Sequence, residues 1–344
     1  MIKPNSNLPA QIRVSLGTAM LLGLLKGGKM EVLPTTAYLM TYTEGKCTAN
    51  CSFCSQARDS KSRADLLSRV TWPSFPTFTV IAALDAVVRE GKIRRVCIQA
   101  LNVPGVFLHL EALVREIKKK HVHEDVCVSV SCQPLNSQDI VLLKDAGVDR
   151  VGIALDAVTE TVFCKVKGVA AGGFYSWRHE LGLLEEAVGI FGAGKVSTHL
   201  IVGLGEVERD VVGLIQWCVD RGVLPALFAF TPIQGTVLEH GSQPSVVSYR
   251  RLQLARYLLV QGVSRLECVG FDVGGEIVSF GVGLDVLEGI VNGGVPFQTS
   301  GCLDCNRPFY NEKLGGPVYN YPRSLSVEEV GEVKKLLGLY FRRV

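Results

Sequence analysis

Three cysteines, Cys47, Cys51 and Cys54, fall within one short stretch, Lys46-Cys47-Thr48-Ala49-Asn50-Cys51-Ser52-Phe53-Cys54-Ser55. Three thiolates on one short loop can each hold an iron of a [4Fe–4S] cube and leave the fourth iron open to a small molecule. A zinc knuckle would need a fourth Cys or His close by, and the nearest histidine is His109. A disulfide framework belongs to small secreted chains, and this chain has 344 residues. A second pair, Cys302 and Cys305, lies near the far end. Taken alone, a Cys-x-x-Cys pair is half a zinc site, a redox dithiol or half an iron–sulfur site.

The elements that must position these thiols follow an α/β rhythm. Apolar, strand-like runs at 36–43, 95–101, 126–132, 150–155, 196–202, 226–231, 265–270 and 294–300 alternate with helical patterns. Ile81, Leu84, Val87 and Val88, with Asp85, Arg89 and Glu90 between them, show the helical spacing. Gly147, Gly194 and Gly222 stand where helices should stop. Residues 10–27 read as an N-terminal helix. Eight strands predict a parallel (β/α)8 TIM-type barrel, complete or partial. The expected division is an N-terminal segment 1–35, a barrel 36–300 and a C-terminal extension 301–344 ending in a helix over 326–339.

Barrels of this kind gather their chemistry on loops at the carboxyl ends of the strands. The cysteine loop follows strand one there, and closure sets strand eight beside strand one. Cys302 and Cys305 are therefore expected at the same rim. Period-two alternation puts Cys127, Ser129 and Ser131 on one strand face, and Cys97 and Gln99 on another. Cys268, on expected strand seven, is the candidate third ligand for the C-terminal pair, with Cys97 and Cys127 as the rival. For Cys97, Cys127, Cys132, Cys164, Cys218 and Cys268 the alternative is a small buried apolar residue.

Composition narrows the class. Hydrophobic residues make up 47% of the chain, enough for a sizeable core. The net charge of +3 gives no sign of a nucleic-acid tract. Met1-Ile2-Lys3-Pro4-Asn5 lacks the build of a secretory signal, and no apolar run reaches the ~18 residues of a membrane span. Eleven cysteines without an export signal point to a reducing cytoplasm.

The triad, with the aromatic Phe53 before its last cysteine, resembles the signature of the radical S-adenosylmethionine (SAM) proteins. There the open iron grips the amino and carboxylate groups of SAM. In that light Asp156, at the end of strand four, suits the paired hydroxyls of a ribose; the alternative is a helix cap. Gly203 and Glu206, in Ile-Val-Gly-Leu-Gly-Glu over 201–206, mark a turn that lets backbone approach a flat adenine. Arg178 is a candidate partner for the SAM carboxylate, or an ordinary solvated arginine. His199 fits a cavity histidine better than a base.

Over about 36–270 the chain resembles biotin synthase, which holds an internal [2Fe–2S] cluster on three cysteines and an arginine. Cys97, Cys127 and Arg265 match that set, while Ser197 replaces the third cysteine, and serine is a poor ligand for soft iron. Two amide positions become Ala154 and Phe228, so Phe228 is expected in a cavity suited to an aliphatic chain. The element Ser300-Gly301-Cys302-Leu303-Asp304-Cys305-Asn306-Arg307-Pro308-Phe309-Tyr310-Asn311-Glu312 resembles the C-terminal part of archaeal two-component lipoyl synthases. Arg323-Ser324-Leu325-Ser326 only faintly echoes the terminal motif of the bacterial enzyme.

These resemblances imply a radical enzyme. Its SAM-bound [4Fe–4S] cluster would generate a 5′-deoxyadenosyl radical, and a consumed auxiliary [4Fe–4S] cluster on Cys302, Cys305 and Cys268 would donate sulfur to an octanoyl chain. They also imply three partners: an octanoylated lipoyl carrier protein, a second radical SAM lipoyl synthase protein and a donor such as ferredoxin. Lys118, Lys119, Lys120, Lys334, Lys335, Arg342 and Arg343 are docking candidates, or simply solvated helix faces. The rivals are sulfur insertion into dethiobiotin and a radical SAM methylase or cofactor-biosynthesis enzyme.

Overall fold

Along the central strands one face is aliphatic and the other carries sulfur and polar groups, which sets the architecture. The computed structural model describes residues 7–27, 30–120, 126–308, 310 and 316–338. Arg342 and Arg343 lie outside them. The order is β1 (Gln11–Val14), α1 (Leu16–Leu21), β2 (Thr36–Thr41), β3 (Leu66–Leu67), β4 (Val70–Thr71), β5 (Ser74–Pro76), α2 (Thr77–Arg89), β6 (Arg95–Gln99) and α3 (Val106–Lys120). Then come β7 (Cys127–Cys132), α4 (Ser137–Asp145), β8 (Arg150–Ile153), α5 (Glu160–Val166), α6 (Trp177–Phe191), β9 (Val196–Val202), α7 (Glu208–Asp220) and β10 (Val223–Ala229). The chain continues through α8 (Val246–Val260), β11 (Gly270–Phe271), β12 (Ile277–Ser279), α9 (Leu284–Gly293) and α10 (Val327–Leu336).

The main sheet runs β10-β9-β8-β7-β6-β2-β1-β5. β2 and β6 to β10 pair in parallel, and β1 and β5 add antiparallel edges. This is a partial (β/α) barrel of six parallel strands. Val96, Ile98, Val128, Val130, Val151 and Ile153 turn outward and are almost fully buried under the helices. Each such burial contributes about 1.5–3 kcal/mol.

Two expected strands do not form. Residues 265–271 hold the 3-10 turn Leu266–Cys268 and the two-residue strand β11, which pairs with β12 outside the main sheet. Residues 294–300 hold the 3-10 turn Val295–Phe297. Pro296 has no N–H to give a ladder, and Gly294 enters with φ +70°, outside the strand region. The expected N-terminal helix is also corrected. Ile12 and Val14 pair with Thr41 and Leu39 in a strand, and only then does Ser15 cap the short helix α1.

The open side between β10 and β2 is closed by the C-terminal segment. Ser300 Oγ accepts from Leu227 N–H of β10 at 2.8 Å. Farther on, the Asp304 carbonyl accepts from Thr36 Oγ1 at 3.1 Å, and Asn306 Oδ1 accepts from Thr35 N–H at 3.1 Å. The strap therefore crosses the seam and lands at the amino-terminal end of β2. Among the described residues, no helix is long and apolar enough to cross a membrane.

Candidate active site

The loop after β2 folds back on itself and on its neighbours. Cys47 N–H donates to Gln56 O at 3.0 Å, Cys54 N–H to Cys51 O at 3.0 Å, and Ser52 N–H to Val166 O at 2.8 Å. Asn102 N–H, just past β6, donates to Cys47 Sγ at 3.2 Å. All three thiols line one cavity of about 270 Å³ that runs from the carboxyl ends of the parallel strands down into the barrel. Burial pushes the thiols of Cys47 and Cys51 up, and that of Cys54 up to about 12. A bound iron in place of the proton would relieve that burial cost.

Asp156 lines the same cavity. A β-bridge to Leu200 fixes its backbone at φ +66°, an uncommon conformation for a residue other than glycine. Its Oδ2 accepts from Lys167 Nζ at 2.9 Å. Glu206 turns inward on its own loop, accepting from Gly203 N–H at 2.6 Å and Leu204 N–H at 3.0 Å. Gly203, at φ +105°, and Glu206 thus shape the turn and are not among the residues lining the cavity. Arg178 is exposed on α6, away from the lining. The buried cation at this end is Lys167, which carries no signal in sequence: its Val-Lys-Gly context matches no motif. Burial draws Lys167 down, but Asp156, Cys51 and Glu180 outweigh it, so its pKa is raised and the ammonium stays charged. Burial holds His199 at about 4, leaving it neutral in the cavity wall.

The C-terminal pair reaches the opposite end of this cavity rather than the rim of the triad. The strap descends to the start of β2, where Cys305 Sγ lies 3.4 Å from Tyr38 OH. Tyr38 is in register with Cys97 on β6. Cys97, Cys302 and Cys305 all line the cavity, and burial with the charges of Cys305 and Cys302 pushes the Cys97 thiol up. Two cations flank them. Arg95 donates to Leu303 O at 3.1 Å and Ser129 Oγ at 2.8 Å. Arg307 lies 3.9 Å over the Phe228 ring, which faces the cavity as expected.

Cys268 is not part of this group. It sits exposed on the Leu266–Cys268 turn, because the strand that would have turned it inward does not form. Cys127 and Arg265 are likewise outside the lining. Arg265 is 56% exposed and pairs with Asp220 at 3.0 Å. Among the described residues, no three His, Cys, Asp or Glu side chains converge on a single-ion site. A cube takes its thiolates on separate corners.

The model of the radical SAM superfamily matches residues 43–218. The chain belongs to the radical SAM superfamily. It is 28% identical over 207 residues to biotin synthase of Persephonella marina, covering 60% of this chain and 57% of that one. Against biotin synthase of Acinetobacter calcoaceticus it is 26% identical over 245 residues, covering 67% and 66%. The chain thus spans under two thirds of the length of these relatives. A crystal structure of HydG, a maturase of the [FeFe]-hydrogenase, matches with TM-score 0.50 at 12% identity over 66% of this chain and 50% of that chain, a likeness of fold.

Membership in this superfamily implies a [4Fe–4S] cluster and SAM, and the residues fit both. Cys47, Cys51 and Cys54 would supply three soft ligands at the cavity they line, and its wall would offer a carboxylate and an ammonium to a zwitterionic cofactor. When bound, that pair would supply a carbon-centred radical. The protein supplies a largely apolar cavity around the site, whose walls would limit the hydrogen donors within reach.

Proposed function

We propose that this radical SAM protein inserts sulfur into an unactivated carbon chain, as a lipoyl synthase does with a protein-bound octanoyl group. The observation that carries the reading is the position of Cys302 and Cys305 beside Cys97, at the far end of the cavity that begins at the triad. These three thiols would hold the sulfur-donating cluster, Cys97 taking the place expected for Cys268. Arg95 and Arg307 suit that role, since a thiolate-bound cluster is anionic and a buried anion needs nearby cations. Phe228, Met40, Trp72 and Leu101 give the wall between the two ends an apolar character, which favours an alkyl chain. The partners on this reading are an octanoylated lipoyl carrier protein, a second radical SAM protein and a low-potential donor such as ferredoxin.

Sulfur insertion into dethiobiotin is the second reading, favoured by the biotin synthase relatives and by Arg307, whose guanidinium could hold the carboxylate of a free small molecule. Against it, the internal set seen in the resemblance is not assembled: Ser197 lines the cavity, whereas Cys127 and Arg265 do not. The deciding experiment is anaerobic reconstitution with SAM and dithionite, offering an octanoyl-lysine peptide and dethiobiotin separately. Mass spectrometry should show thiolated peptide together with 5′-deoxyadenosine. Thiolation of dethiobiotin alone would select the second reading, and 5′-deoxyadenosine without any new C–S bond on either would overturn sulfur insertion.

A further inference from the structure

Lys167 is almost fully enclosed, its side chain 1% exposed. It follows the last residue of α5, and Val166 just before it accepts the 2.8 Å hydrogen bond from Ser52 N–H. That bond ties the backbone of the cysteine loop, at the residue after Cys51, to the residue before Lys167. The ammonium turns inward, donates to Asp156 Oδ2 at 2.9 Å and to the Ala154 carbonyl, and lies 5.1 Å from the Tyr175 ring centroid. An ammonium has three N–H donors, and among the described residues these two acceptors are its hydrogen-bond partners. It lines the cavity with Cys47, Cys51 and Cys54. Arg178, the cation that the sequence offered for this end, is on the surface.

A buried charge acts over a low effective dielectric, so its field at a neighbouring redox centre is weakly screened. A cation beside an iron–sulfur cluster favours the electron that arrives, and an anion opposes it. Lys167 and Asp156 form a fixed pair of opposite charges, and at Cys51 the ammonium exerts the larger effect of the two. Resting on the assignment of the first cluster to Cys47, Cys51 and Cys54, we propose that Lys167 is a tuning residue of that cluster. Its ammonium, held by Asp156 and the Ala154 carbonyl, makes the cluster easier to reduce. Asp156 sets the opposite limit: it keeps the ammonium in place and moderates its field. The electron itself comes from an external one-electron reductant.

The test is a redox titration of the reconstituted protein, followed by electron paramagnetic resonance in the absence of SAM. A Cys302→Ala/Cys305→Ala background removes the signal of a second cluster. Lys167→Met leaves Asp156 uncompensated, and at a fixed potential the reduced-to-oxidised ratio should fall about tenfold, which for a one-electron couple is ~59 mV. Asp156→Asn should raise the ratio. Lys167→Arg, which keeps the charge, should stay near the parent value. Opposite shifts for Lys167→Met and Asp156→Asn are the signature, because a purely structural role would not move the potential in two directions. If Lys167→Met loads no cluster, the rise in Asp156→Asn and the retained potential of Lys167→Arg still decide the matter. Equal potentials, or shifts of one sign, in the loaded variants would overturn the tuning role. A parent protein without any cluster signal would instead overturn the assignment on which it rests.

Discussion

The phenol oxygen of Tyr38 lies 3.4 Å from the sulfur of Cys305 and accepts from the Arg307 N–H at 2.8 Å. One hydroxyl on the first parallel strand therefore holds both the sulfur and the backbone of the strap. Burial, with the charge of Cys305, pushes the Tyr38 phenol up, so it remains protonated and able to donate to that sulfur. This contact fixes the depth at which the C-terminal thiols enter the barrel.

Cys97 and Cys268 should behave oppositely. With two cubes, the reconstituted protein should hold about eight irons per chain. Cys97→Ala should lower this to about four and stop sulfur transfer while SAM cleavage continues. Cys268→Ala, on an exposed turn, should change neither. Iron analysis checks this, and a loss of iron in Cys268→Ala would restore the candidate that the fold removes.

The triad variants have a different readout. On the proposed assignment, alanine at Cys47, Cys51 or Cys54 would remove one of three cluster ligands, and reductive cleavage of SAM should fall to background. Chromatographic detection of 5′-deoxyadenosine measures it, and parent-level cleavage in any of the three would contradict the assignment.

Glu180 predicts a pH dependence of stability. It is 1% exposed, neither carboxylate oxygen has a hydrogen-bond partner among the described residues, and burial raises its pKa from an ordinary 4.5 to about 7. Between these values the folded chain binds more protons at this site than the unfolded chain. Its contribution is thus fully present below about 4.5 and lost as pH rises through about 7. Glu180→Gln removes the ionisation, and at pH 8 it should be more stable than the parent by about 3 kcal/mol, with little gain at pH 4.5. Urea unfolding at the two pH values checks this, and an equal shift at both would point to packing instead.

Gly235, in the turn after β10, packs against residues 61–62, which follow the cysteine loop. Its φ is +83°, and an added Cβ would come within 2.5 Å of the Ser62 nitrogen. Its carbonyl accepts from Lys61 N–H at 2.8 Å. Gly235→Ala should destabilise the fold by about 1–3 kcal/mol, from left-handed strain and a backbone clash. Thermal unfolding of the two proteins measures the cost, and an unchanged midpoint would mean that the loop can shift.

The six parallel strands were legible because Val, Ile and Leu alternate or cluster at lengths that suit buried strands, as in 95–101 and 196–202. The last two were not. An apolar run such as 294–300 resembles a strand until Pro296 and the φ of Gly294 are taken into account. Spacing and resemblance single out the triad and Phe228, and the structure sets them on one cavity. Cys268 lies outside the cavity because the strand expected to turn it inward does not form, so a difference in topology changes the candidate ligand. Lys167 was invisible because its importance comes from folding α5 back onto the cysteine loop, a contact that local pattern does not encode. Glu206 was legible as part of a turn, yet its carboxylate is occupied by that turn's own N–H groups.

Residues 300–307 serve as wall and as carrier of two thiols in the same few turns of chain. Mechanical integrity and oxygen sensitivity are consequently linked: displacing this segment would widen the cavity and expose the half-buried Cys302 and Cys305 further to air. A preparation that has lost its grip on Thr35 and Thr36 would age chemically as well as loosen.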